Sequence, residues 1–165
     1  MIRDNANTLT VVTTDYTWFI QNYGTQEFML IEICNSLNED EREWVFPTIT
    51  IEKGDYRSFE EECEIALVQL RQRINHCFPT DGMQRVATLH PKLGSINFKE
   101  HFSLLCIHSC PKNSDIIDTK GIKKIKMFPL EEIKKLKLAF GENKIIPILE
   151  DFLSPPTLFF VKDTC

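Results

Sequence analysis

The pattern of apolar and polar positions predicts strands and helices that alternate along the chain. Runs rich in β-branched, aromatic and other apolar residues are typical of strands, and turn-forming residues separate them. A Thr- and Ile-rich run follows Pro47 and leads to a turn at 52–55. The segments predicted as strands are 8–20, 27–34, 44–46, 84–90, 102–110 and 122–127.

One long helix is predicted from Ser58 to Ile74. Ser58 and Glu61 have the spacing of a capping box, in which each side chain hydrogen-bonds the backbone of the other residue. The three carboxylates of 60–62 then stabilise the positive end of the helix dipole. Apolar residues recur at spacings of three and four and predict one buried face: Phe59, Cys63, Ala66, Leu67, Leu70 and Ile74.

The last third of the chain predicts two further helices. A strand in which lysines alternate with apolar residues covers 122–127, and the segment 133–140 follows as a helix that Gly141 terminates. The segment 144–153 is predicted as a terminal helix that Pro147 either opens or bends. The tail 154–165 contains an apolar run that predicts an edge strand or a contact with a partner.

Length and composition indicate one ordinary globular domain. The 165 residues are 42% hydrophobic and 26% charged, which fits a single domain over 1–165 with its core at about 8–153. No apolar run reaches the roughly 20 residues that span a bilayer. The start of the chain lacks the long apolar core of a secretory signal. We therefore expect a cytoplasmic protein without a membrane partner.

Six cysteines do not form the spacing pattern of a small disulfide-rich domain, so we expect reduced thiols. Cys106, His108 and Cys110 would share one face of a predicted strand, which leaves a metal site as an alternative. Apolar packing of these thiols is the favoured interpretation, because structural zinc sites use other spacings.

The charge is distributed unevenly. Residues 1–80 carry six Lys and Arg against fourteen Asp and Glu, whereas residues 81–165 carry thirteen against ten. Seven of the lysines lie between Lys120 and Lys137. Such a basic segment can attract a phosphate-bearing ligand or RNA, although a solvated helix face is the favoured interpretation.

Two motifs resemble those of the Nudix hydrolase family. The first combines Trp44-x-Phe46-Pro47, the turn Glu52-x-Gly54-Asp55 and the capped helix at Ser58. The second is a strand followed by Phe128-Pro129-Leu130-Glu131-Glu132. The resemblance implies an α/β/α sandwich, of the α/β or α+β class, with a mixed β-sheet between helices.

The catalytic motif of the family is altered in this chain. In the family, an Arg-Glu-apolar-x-Glu-Glu run holds divalent metal ions against a diphosphate. Counting from Asp55 places residues 63–68 on this run and retains only Glu64, whereas aligning the helix caps places residues 65–70 there and retains no carboxylate. Thr48 and Ile49 replace the two glycines that usually follow the proline. These departures predict weak or absent hydrolysis.

A displaced metal site is one alternative. Asp55, Glu60 and Glu64 would bind Mg²⁺ or Mn²⁺, with Glu61 and Glu64 as the catalytic carboxylates, since residues three or four apart share a helix face. The favoured alternative is that the first-turn carboxylates only stabilise the helix dipole.

The leading hypothesis is therefore a Nudix-fold protein that binds its ligand with weak or no hydrolysis. The ligand would be a nucleotide, an RNA end or a nucleotide-linked metabolite, with Lys53, Arg57 and Lys123 near phosphate and with Phe46 or an aromatic residue of 16–19 stacked on a base. One alternative is an active Mg²⁺- or Mn²⁺-dependent pyrophosphohydrolase of nucleoside diphosphate derivatives. Another is an adaptor with a vestigial pocket that binds a protein partner or a second copy of itself as a homodimer.

Overall fold

The computed structural model describes residues 13–35, 37–52, 57–78, 83–89, 92–93, 96–97, 99–116 and 122–154. The strands in these ranges are β1 (Thr13–Asn22), β2 (Phe28–Cys34), β3 (Arg42–Val45), β4 (Thr48–Glu52), β5 (Gln84–Leu89), β6 (Lys92–Leu93), β7 (Ile96–Asn97), β8 (Lys99–Ile107) and β9 (Ile122–Phe128). The helices are α1 (Phe59–Ile74), α2 (Leu130–Ile133) and α3 (Ile145–Leu153), and short 3-10 turns lie at Asn113–Asp115 and Glu142–Lys144.

The main sheet is mixed and is organised around β1. Strand β8 pairs with β1 in parallel, and β5 extends the sheet as an antiparallel neighbour of β8. On its other side, β1 meets β2 at Gln21 and Phe28 and then pairs with β4, while β2 pairs with β3 and β9. The β3–β4 segment thus enters the angle between β1 and β2, where the amide of Trp18 donates to the carbonyl of Pro47 at 2.9 Å. The sheet is split at this point.

Helices cover both faces of the sheet and enclose two cores. The first core lies between the sheet and α1, and the second lies between the sheet, α2 and α3. Successive residues of β1 point to opposite faces of the sheet, as strand geometry requires. Trp18 therefore belongs to the first core and Phe19 to the second. The predicted α/β/α sandwich with a mixed sheet is confirmed.

Helix α1 has the predicted bounds and the predicted cap. The amide of Glu61 donates to Ser58 Oγ at 3.2 Å, and the amide of Ser58 donates to the Glu61 carboxylate at 2.8 Å. Asn75 ends the helix in the left-handed region, with φ 49°, a conformation that Asn tolerates better than most residues. The predicted apolar face is buried against the sheet, apart from the partly exposed Phe59.

The prediction of a helix over 133–140 is wrong, because α2 ends at Ile133. The following backbone pairs with β3 instead: the amide of Trp44 donates to the carbonyl of Lys137, and the amide of Ala139 donates to the carbonyl of Trp44, both at 3.0 Å. This extended path also packs Leu138 against the second core. In α3, Pro147 is the third residue, so it lies in the first turn, where its missing amide hydrogen costs no helical bond.

No helix in the described ranges has the length and apolar content needed to cross a membrane. The tail beyond Ser154 lies outside the described residues, so its contact with a partner stays a prediction.

Candidate functional site

A cavity of about 530 Å³ opens where the sheet splits. Residues of β1, β2 and the β3–β4 corner form its walls, and α1, α3 and the turn before α3 close it. Its volume falls within the range of small-molecule sites. The residues that line the cavity are Asp15, Thr17, Ile31, Ile33, Val45, Phe46, Thr48, Arg73, Leu89, Glu100, Phe140, Gly141, Glu142, Lys144 and Ile145.

Phe46 forms part of the cavity wall from within the second core. Its side chain is fully buried, and its ring makes an edge-to-face contact with Phe19 at 5.2 Å between centroids. The amide of Phe46 donates to the carboxylate of Glu142 at 3.1 Å. Phe46, which the sequence suggests as a base-stacking residue, therefore combines an apolar wall with a backbone contact that positions an acidic group.

Glu142 is the most strongly perturbed carboxylate of the cavity. Burial raises its pKa from the ordinary 4.5 to about 7, the hydrogen bond from Phe46 acts in the opposite direction, and the charge of Glu100 raises the pKa further. Burial likewise raises the pKa of Glu100, with a contribution from Asp15, its partner across β1 and β8, while Lys144 lowers it. These three carboxyl groups can accept hydrogen bonds from a ligand, and Glu142 can also hold a proton near neutral pH.

Arg73 approaches the cavity from the opposite side of the sheet. It lies in the last turn of α1, is partly buried, and donates from Nη1 to the carbonyl of Thr48 at 3.2 Å. Arg73 and Thr48 also line a small recess between α1 and β4, together with Ile49, Thr50 and Gln69. The cavity and this recess thus share two residues.

A shallow groove continues from the recess along the outer face of α1. It is lined by Arg57, Glu61, Glu64, Ile65, Val68 and Gln69. The guanidinium of Arg57 donates to the carbonyl of Glu52, which ties the start of the groove to the end of β4. Gln69 also lines the recess, so the α1 groove and the recess lie side by side on the outer part of α1.

The predicted metal ligands are distributed as follows. Glu60 is exposed in the first turn of α1, the Glu61 carboxylate accepts the capping hydrogen bond, and Glu64 is exposed in the α1 groove. Lys53 and Asp55 lie outside the described residues. Within the described ranges, no group of three or more His, Cys, Asp and Glu side chains is arranged to hold a metal ion.

The recess itself does not suit a divalent cation. Mg²⁺ and Mn²⁺ require oxygen ligands, usually carboxylates, whereas the described residues that line the recess are Thr, Ile, Gln and Arg. The positive charge of Arg73 would also repel such an ion. The predicted phosphate-binding residue Lys123 is exposed on β9 and does not line the cavity.

The prediction that one strand face carries Cys106, His108 and Cys110 is wrong. Strand β8 ends at Ile107, so the alternation that would align the three side chains stops. Cys106 packs against the second core and Cys110 against the first, while His108 is exposed beside Tyr23 with 5.8 Å between ring centroids. The cysteines in the described ranges, which are 34, 63, 77, 106 and 110, are free thiols.

Sequence reasoning did not identify Glu142 or the cavity role of Arg73. Glu142 follows a turn far from any motif, and only the fold brings it to Phe46. The sequence presents Arg73 as a charge that suits a helix C-terminus. A usable signal was the position of Arg73 on the same side of the helix as Gln69, one turn earlier.

No protein-family model matches the sequence, and no curated protein shows significant sequence similarity to it. Solved structures do match. The NUDIX hydrolase from Nitrosomonas europaea is 13% identical with a TM-score of 0.62, and the match covers 86% of this chain and 88% of that one. The NUDIX domain of Shewanella oneidensis NrtR, solved in complex with ADP ribose, is 15% identical with a TM-score of 0.58, covering 88% and 89%.

A third structure is the C-terminal domain of mouse MUTYH in complex with human PCNA. It is 17% identical with a TM-score of 0.57, and the match covers 84% of this chain and 88% of that one. At these identities the similarity concerns the fold alone. The chain has the Nudix fold that its two motifs resemble.

Proposed function

We propose that this Nudix-fold protein binds a nucleotide, or another ligand that joins a ring to a phosphate, and hydrolyses it weakly or not at all. The observation that carries the proposal is the cavity, whose lining combines apolar residues, carboxyl groups with raised pKa values and Arg73. Arg73 also lines the neighbouring recess, and Gln69 lines both the recess and the α1 groove.

The cavity has the chemistry of a base-binding pocket. Ile33, Val45 and Phe140, which are partly or fully exposed, provide apolar walls that favour the transfer of a flat ring from water. Glu142 and Glu100 provide carboxyl oxygens, which can accept hydrogen bonds from the N–H groups of a nucleobase. A site that pairs its buried polar groups with those of its ligand discriminates against ligands that lack them.

Burial along α1 argues against the two alignments of the catalytic run that the sequence suggested. The run requires its carboxylates outside the core and its apolar residue inside. The count from Asp55 assigns a carboxylate position to Leu67, which is 2% exposed. The alignment by helix caps assigns such positions to Ala66 and Leu70, which are 0% and 1% exposed.

A third alignment satisfies the burial pattern. With Leu70 at the apolar position, the three carboxylate positions of the run fall on Gln69, Gln72 and Arg73, all of which lie outside the buried core. Two amides and a cation cannot replace carboxylates as ligands of Mg²⁺. Without the metal, the Lewis acid that activates water for attack on phosphorus is lost, which supports binding without efficient hydrolysis.

The structural neighbours are compatible with this ligand class. The NrtR domain was solved with ADP ribose, a molecule that joins a base to a diphosphate. The MUTYH domain was solved with a protein partner, so a protein–protein role stays a separate prediction for this chain.

The proposal is tested by thermal unfolding with adenine and guanine nucleosides, their phosphates and ADP ribose. A ligand at one hundred times its Kd stabilises the folded state by about 2.7 kcal/mol, so at least one nucleotide should raise the melting temperature measurably. In parallel, incubation with Mg²⁺ or Mn²⁺ should release little or no phosphate or AMP. Absence of any stabilisation contradicts the binding role, and rapid metal-dependent release contradicts the loss of hydrolysis.

A further inference from the structure

Arg73 lines both the cavity and the recess. Its guanidinium donates to the carbonyl of Thr48, so one of its donors is fixed and the planar group has a defined orientation. The carbonyl belongs to the first residue of β4, beside the point where the sheet splits. A ligand in the cavity can therefore reach a cation whose position is fixed by the backbone.

The recess around Arg73 has the composition of an anion site. Among the described residues that line it, Arg73 is the charged one, and Gln69 adds amide donors from one helical turn earlier. The hydroxyls of Thr48 and Thr50 are engaged with the carbonyl of Phe46 and the carboxylate of Asp15.

The two sides of the cavity differ in their charged groups. Glu100 precedes Phe102 by two residues, so its side chain lies on the second-core face of the sheet, and the Glu142 carboxylate accepts from Phe46 of the second core. Lys144 lines the cavity on this side too and lowers the pKa of Glu100, so the acidic side is partly neutralised. Arg73 comes from α1, which covers the other face. A ligand can therefore direct N–H donors toward Glu142 and an anionic group toward Arg73.

We propose that Arg73, together with Gln69, binds the phosphate group next to the ring of the ligand, and that this binding needs no metal ion. The inference rests on the proposed function, since it assigns one part of the same ligand. Arginine binds phosphate through paired N–H donors in its plane. It thereby provides the charge that a divalent ion would otherwise supply.

The test compares nucleosides with nucleotides by calorimetric titration in EDTA. Adenosine, AMP and ADP, and their guanine counterparts, are titrated into the wild-type protein and into Arg73→Met and Arg73→Lys variants. In the wild type, we expect the nucleotides to bind about ten- to hundredfold more tightly than the nucleoside, the range expected for hydrogen bonds to a charged group. Arg73→Met should remove most of this gain, so that nucleotides and nucleosides bind with similar affinity, and Arg73→Lys should retain part of it.

Lys135→Met is the matched control, because it removes one exposed cation that follows α2 and lies outside the cavity. It should keep the full gain. A gain that persists in Arg73→Met, or that appears only when Mg²⁺ replaces EDTA, overturns the inference while the ring-binding role stands. If neither nucleosides nor nucleotides bind the wild type, the proposed function fails and the inference fails with it. If Arg73→Met loses nucleoside binding through altered packing, the Arg73→Lys variant decides the question. An unchanged gain of nucleotide over nucleoside affinity in Arg73→Lys would indicate a general charge effect and would contradict the role of the planar guanidinium.

Discussion

Substituting Glu142 by glutamine should change how stability depends on pH. The carboxyl group is buried, accepts a hydrogen bond from the amide of Phe46 and has a pKa raised from 4.5 to about 7. Between these two values, the folded protein keeps a proton that the unfolded chain releases. The folded state then binds more protons, so the free energy of unfolding falls as pH rises through this window.

The magnitude follows from the shift. One pKa unit corresponds to about 1.4 kcal/mol, so a rise from 4.5 to about 7 costs the wild type at most about 3 kcal/mol of stability by about pH 8. The glutamine side chain of the variant is neutral at every pH, and its amide oxygen can still accept from Phe46. Glu142→Gln should therefore match the wild type near pH 5 and exceed it by up to about 3 kcal/mol near pH 8.

Urea unfolding from about pH 5 to about pH 8 measures this difference. With a slope of about 2 kcal/mol per molar urea, the midpoint of the variant should lie up to about 1.5 M above that of the wild type at the upper pH. Glu131→Gln, which neutralises an exposed carboxylate, is the control and should follow the wild-type curve. Parallel curves for wild type and Glu142→Gln would refute the argument that burial of Glu142 perturbs its ionisation.

Three further substitutions test local parts of the structure. Ser58→Ala removes the capping box of α1 and should cost about 1 kcal/mol of stability in urea unfolding; an unchanged midpoint would contradict the cap. Tyr16→Phe removes the buried hydroxyl that donates to Glu62 at 2.8 Å and should cost about 1–3 kcal/mol in the same assay, because the carboxylate loses its partner; a neutral effect would show that water replaces the hydroxyl. Glu64→Gln should leave the Mn²⁺ titration unchanged in calorimetry, whereas a loss of Mn²⁺ binding would support the displaced metal site.

The parts of the fold that depend on local sequence were predictable. The strand patterns of 13–22 and 28–34 follow from side-chain alternation and β-branched content, and the start of α1 follows from the capping box. The segment 133–140 was not predictable in this way. Its residues favour a helix locally, but pairing of its backbone with Trp44 satisfies the same polar groups in an extended form.

The candidate site depends on contacts between distant parts of the chain. Glu142 and Phe46 are 96 residues apart and meet only because α3 packs beside the split in the sheet. Arg73 and Thr48 are 25 residues apart and meet through the packing of α1 on β4. The catalytic run could be aligned on α1 only once the burial of each helix residue was known, because neighbouring alignments differ in which residues enter the core. The sequence contains the side chains, but only the fold determines their arrangement.

The central claim, binding of a ring–phosphate ligand without metal-dependent hydrolysis, is tested most directly by one calorimetric experiment. ADP ribose is titrated into the purified protein, once in EDTA and once in Mg²⁺, and each sample is then assayed for released AMP. We predict binding of equal affinity in both conditions and no AMP above background. Binding that requires Mg²⁺ and is followed by AMP release would contradict the claim and identify an active hydrolase.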